Sequence, residues 1–181
     1  MNFFRKLFGK KTEHTEQSLK EIYLQFAQII SSDDEAVLAQ VHDLFGDTTA
    51  FLVQHQERYF DRGIDTKKTP KEDLYWISLA DILMAHNYAV EFDCKGELED
   101  FEYFLKDLQG LKSYSDIKFP LLDEDGTVHL WIEQINDHWQ DQSIALMQQD
   151  IDSDSHVIFV VEKAQMSFLQ AKSQKLGQRF Y

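Results

Sequence analysis

Residues 143–163, SIALMQQDIDSDSHVIFVVEK, limit more than any other stretch what this chain can fold into. Ile144, Ala145, Leu146 and Met147 lead into an acidic turn, and Val157, Ile158, Phe159, Val160 and Val161 lead out of it. Two short apolar runs joined by a polar turn read as an antiparallel β-hairpin. The second run is apolar at every position, so both of its faces need cover. That places it in the middle of a sheet with helices packed over it.

The segments before the hairpin are mostly helical in period. Leu19, Ile22, Tyr23, Phe26, Ile29 and Ile30 form one face of a helix over 16–30. Ser32 and Glu35 form a capping box for a second helix, which buries Val37, Leu38, Val41, Leu44 and Phe45 and stops at Gly46. Asp47 caps a third, with Phe51, Leu52, His55 and Tyr59 on one face. These three helices make a helical subdomain over 12–62. A polar connector, RGIDTKK, follows at 62–68, and an α+β domain spans 69–181; the alternative is one continuous domain over 12–181.

In the second part, Thr69 as N-cap, Pro70 and Glu72 start a helix that runs to about His86 and is apolar almost all round. Ser78 and Asp81 interrupt its apolar surface. A carboxylate there is costly without a hydrogen bond, so Asp81 is expected to bond a neighbouring helix end, with a functional role as the alternative. Tyr88, Val90 and Phe92 alternate with Ala89, Glu91 and Asp93, which reads as a half-buried strand. Helices are expected over 98–108, 128–142 and 165–176, with a loop over 111–119. The fold class is α+β: a small, mainly antiparallel three-stranded sheet covered by helices and preceded by an N-terminal three-helix segment.

Charge excludes some functions. Thirty-two acids against eighteen bases give −14. Residues 1–11 hold four bases and no acid, so the remaining chain carries −18. Such a body repels phosphates, which argues against nucleic-acid binding and favours a basic protein partner. Phe3, Phe4, Leu7 and Phe8 share one face of the basic tail, which suits weak peripheral membrane contact or a tail folded back on the acidic body. No apolar run is long enough to span a membrane, and the start lacks the core of a secretory signal. A single cysteine, Cys94, fits a cytoplasmic location.

Carboxylates crowd at one place. Asp150, Asp152 and Asp154 alternate along the hairpin turn, and Asp93 ends another strand of the same sheet. Converging, they would hold Mg²⁺ or Ca²⁺, or leave one carboxylate as a general base. A calcium loop counted from Asp150 needs Gly at its sixth position and Glu at its twelfth, where Ser155 and Val161 stand. Asp and Ser are also ordinary turn residues. The turn at 123–126 reads as a cap for the helix after it. His129 and Glu133 lie one turn apart without the second His of a zincin, so they read as a solvated face. His55 reads as a boundary histidine. No nucleophile elbow surrounds Ser153 or Ser155, and Asp93 beside Cys94 blunts that thiol.

The run YWISLADILMAHNYAVEFDCKGELEDFEYFL and the later DIDSDSHVIFVV resemble the domain-of-unknown-function family numbered 6630, over about 75–161. The resemblance implies a bacterial cytosolic α+β domain and supplies no activity and no catalytic residues. Two expectations follow. The first is a non-enzymatic protein-interaction module for a basic partner, with no cofactor. The alternative is a metal-dependent enzyme or cation-binding protein using Asp93, Asp150, Asp152 and Asp154.

Overall fold

A computed structural model of the chain describes residues 15–181; the basic segment 1–11 lies outside them. In chain order the elements are α1 (Glu16–Ser31), α2 (Glu35–Gly46), α3 (Thr48–Gln54), α4 (Gln56–Asp61), α5 (Lys71–Ala85), β1 (Ala89–Asp93), α6 (Leu98–Lys106), α7 (Gln109–Lys112), α8 (Val128–His138), β2 (Ile144–Asp150), β3 (Ser155–Glu162), α9 (Lys163–Lys175) and β4 (Arg179–Phe180). The fold is α+β. No helix among the described residues is long and apolar enough to cross a membrane.

The sheet is antiparallel, in the order β1-β3-β2-β4. It has four strands where three were expected. The extra one, β4, is two residues long and pairs Phe180 with Gln149 and Arg179 with Asp150. Its anchor is the Phe180 ring, which meets Phe26, Trp76 and Phe159 at 4.7–5.4 Å between centroids.

β3 is an interior strand and is buried on both faces, because side chains alternate across a pleated strand. Val157, Phe159 and Val161 enter one apolar cluster with Tyr23, Phe26, Val41, Trp76 and Leu79 from α1, α2 and α5. Ile158 and Val160 enter a second cluster with Phe101, Leu111, Trp131 and Ile135 from α6, α7 and α8. The sheet is thus the middle of three layers. α5 is central, as its sequence requires: every residue from Leu74 to Leu83 is buried.

Several local expectations need correction. Ser32 does not cap α2. It ends α1 in the left-handed region, and the Asp34 carboxylate accepts from the Ala36 and Val37 amides instead. Thr69 does not cap α5; Pro70 holds that position without a side-chain bond. The third helix breaks at His55 into α3 and α4, though Asp47 caps α3 as expected. A short helix, α7, occupies part of the expected loop, where Gly110 lets the chain approach Val160: a Cβ would stand 3.1 Å from the Val160 Cβ.

Candidate functional site

The acidic turn lies at one end of the sheet. Asp93 pairs with Ser155 across β1 and β3, so it ends beside the β2–β3 turn. Two of the four carboxylates, those of Asp150 and Asp93, nevertheless have separate local partners. Asp150 Oδ2 accepts from Arg179 Nη2 at 2.5 Å, and Asp150 Oδ1 accepts from the Asp152 amide at 3.0 Å. Asp93 Oδ1 accepts from the Lys95 amide at 2.8 Å. Asp152 takes a positive φ of 59°, a conformation Asp tolerates, and Asp152 and Asp154 are exposed. Among the described residues, no group of three or more His, Cys, Asp or Glu side chains is placed to hold a metal ion. What the turn does is fasten elements: Trp76 Nε1 on α5 donates to the Asp150 carbonyl, and Arg179 ties β4 to the same residue.

Other singled-out residues have local roles. His129 and Glu133 form an exposed pair at 3.3 Å. His55 packs on Phe51, with rings 4.4 Å apart. His156 Nδ1 meets Gln148 Oε1 at 2.7 Å; burial, then the charge of His129, lowers its pKa. Asp123 accepts from the Asp125 amide to shape its turn, and Thr127 caps α8.

A charge cluster that no sequence motif marks joins four elements. Arg62, at the end of α4, donates to both Glu91 carboxylate oxygens, at 2.8 Å and 2.5 Å, and to Asp81 Oδ1 at 3.0 Å. Ser155 on β3 donates to Glu91 as well. Burial raises the Asp81 pKa against the charge of Arg62. Burial acts the same way on Glu91, but the bonds from Arg62 and Ser155 outweigh it and lower its pKa. Asp81 therefore bonds a helix end, but through a side chain rather than a backbone group. The available signal was two carboxylates, on an apolar helix and a half-buried strand, that both needed a cation.

The surface has further features. An open cleft of about 430 Å³ beside α3 is lined by Glu16, Phe45, Thr48, Thr66, Thr69 and Lys71, among others. Its lysine is engaged, since Lys71 Nζ donates to Glu16 at 2.6 Å. On the other layer, α6 exposes Tyr103 and Phe104 among acids.

Neither the curated proteins nor the solved structures give a significant match to this chain. The family model described as a domain of unknown function, DUF6630, matches residues 22–181. The match takes in the helices α2 to α4 and β4, well beyond the 75–161 over which the sequence resemblance was read. Covering most of the chain, it shows that this protein belongs to the DUF6630 family.

Proposed function

We propose that this domain is a non-enzymatic protein-interaction module for a basic partner. One observation carries the proposal: among the described residues Asp81 is the only buried acid, so nearly all of the negative charge faces water. Charge held at a surface steers oppositely charged proteins and repels phosphates. Cys94 as the sole cysteine fits a reducing bacterial cytoplasm as the compartment.

Affinity capture from native lysate tests this, run beside an acidic control protein of equal net charge. The expected result is a basic protein retained by this chain over the control, and released as salt shortens the Debye length from about 10 Å at 0.1 M to about 3 Å at 1 M. Recovery of only acidic proteins or nucleic acid, or of nothing beyond the control, overturns it.

A further inference from the structure

α6 uses only one of its faces in the fold. Phe101 and Leu105 point into the second core and are fully buried. On one flank Tyr103 stays 68% exposed and Phe104 49% exposed, their rings edge-on at 5.2 Å. Phe104 rests lightly on Phe92, with centroids 6.5 Å apart. Helical spacing sets Glu99 and Asp100 one turn before this pair, on the same side. Both acids are exposed, and among the described residues neither forms an ion pair with a base. The lysine of α6 is engaged elsewhere: Lys106 bonds Glu102 at 2.5 Å and lies over the Phe119 ring at 5.5 Å.

Aromatic side chains left in water forgo the burial they gain inside the fold, and Tyr and Phe are enriched in the cores of protein interfaces. The acids beside them select what covers them. An anionic membrane or a nucleic acid would bring phosphates against Glu99 and Asp100. A second copy in a two-fold contact would bring the same acids face to face. A cationic chain brings Lys or Arg to the carboxylates and over the Tyr103 ring, and apolar side chains to Phe104.

We propose that this flank of α6 docks a cationic amphipathic segment of another protein, its apolar side against Tyr103 and Phe104 and its bases against Glu99 and Asp100. The assignment rests on the reading of the domain as a module for basic partners. The contact is specific to this flank, and the exposed pair Val53 and Phe60 on α3 and α4 serves as an internal comparison.

The test titrates the full chain with a synthetic helical peptide bearing leucines on one face and lysines on the other. A peptide with glutamates for the lysines is the control. Tyr103→Ser should weaken binding at least about tenfold, the range of an interface anchor. Tyr103→Ser is chosen because the ring is mostly exposed and its loss leaves the core intact; Phe104→Ser is read only where circular dichroism matches the parent. Glu99→Gln with Asp100→Asn should weaken binding and flatten its salt dependence. Val53→Ser with Phe60→Ser should change neither. If the parent binds the cationic peptide with salt dependence and the α6 variants bind equally well, this surface is wrong and the module reading stands. If the parent does not bind the cationic peptide, the surface assignment falls; if it also retains no basic protein, the module reading falls with it. Self-association of the parent that Tyr103→Ser abolishes would assign the flank to a second copy, and a gain in peptide affinity on removing residues 1–11 that Tyr103→Ser cancels would assign it to the basic tail of this chain; either result overturns the proposal.

Discussion

Arg62 and Glu91 meet in a two-pronged ion pair, Nη1 to Oε1 at 2.8 Å and Nη2 to Oε2 at 2.5 Å, that fastens the end of α4 to β1. The same guanidinium reaches Asp81 on α5, which is 5% exposed. Replacing Arg62 with Met removes the cation, strands the buried Asp81 carboxylate and leaves Glu91 with its bond from Ser155. Breaking a fully buried pair costs about 3–5 kcal/mol; Arg62 and Glu91 are 19% and 24% exposed, so a loss of about 2–3 kcal/mol is expected. Arg62→Lys should recover only part, because an ammonium does not span both carboxylates as the planar fork does. Urea denaturation with an unchanged slope is the measurement. A loss within about 0.5 kcal/mol, the size of an ordinary surface substitution, would show that α4 is held by apolar packing alone.

The two acids on Arg62 give stability opposite slopes with pH. Glu91 is more acidic in the fold than its usual 4.5, since the bonds from Arg62 and Ser155 outweigh burial. Its contribution is full above the unfolded value and is lost as pH falls through the lower folded value. Asp81 is less acidic in the fold than its usual 3.8, chiefly through burial. Its ionisation therefore costs stability as pH rises from the unfolded value through the folded one. Glu91→Gln should flatten the loss of stability on the acid side, and Asp81→Asn should steepen it. Urea midpoints taken between about pH 3 and pH 6 resolve the two. Parallel profiles for both variants would contradict the opposite signs.

Asp150 is expected to act as a fastener for the C-terminal strand. Its carboxylate holds Arg179 and the Asp152 amide, and its carbonyl accepts from Trp76. Asp150→Asn keeps the carbonyl and weakens the partly exposed ion pair, a loss of about 1 kcal/mol. Mg²⁺, Mn²⁺ and Ca²⁺ should shift the melting temperature of parent and variant equally. A gain specific to one cation that disappears in Asp150→Asn would instead mark a true site, because a bound metal stabilises the fold by mass action.

What the sequence made legible is what periodicity encodes. The α1 stripe, the all-round apolar α5 and the doubly buried β3 follow from side-chain spacing within each element. β4 left no such trace: two residues have no period, and Phe180 is held by the rings of Phe26, Trp76 and Phe159, which are remote in sequence. Arg62 was hidden for a related reason. In sequence it is one base in a polar connector, and only the fold brings it to Asp81 and Glu91. At the turn, the crowding of Asp150, Asp152 and Asp154 was visible, but their partners were not. Short carboxylates bond the nearest amides, as Asp150 does with Asp152 and Asp93 with Lys95. Local bonding of this kind competes with convergence on a shared ion, and spacing alone does not reveal which wins.

Gly126 lies against the Trp131 indole, and its missing side chain makes that contact possible. A Cβ there would stand 2.5 Å from Trp131 Nε1 and 2.9 Å from the Asp123 carbonyl oxygen. Those two atoms are themselves bonded, the indole N–H donating to the carbonyl at 2.7 Å. The indole is buried and packs on Phe101 with centroids 5.1 Å apart, so it has little room to move away. Gly126→Ala must therefore shift the turn at 123–126 or break the indole bond. Overpacking costs about 1–3 kcal/mol, and an unsatisfied buried donor about the same again. The variant should lose at least about 2 kcal/mol in urea unfolding, with native tryptophan emission moved to longer wavelength as Trp131 gains water. Retention of both the midpoint and the emission maximum would mean that the turn yields freely, and that Trp131 is fixed by its apolar neighbours rather than by the Asp123 carbonyl.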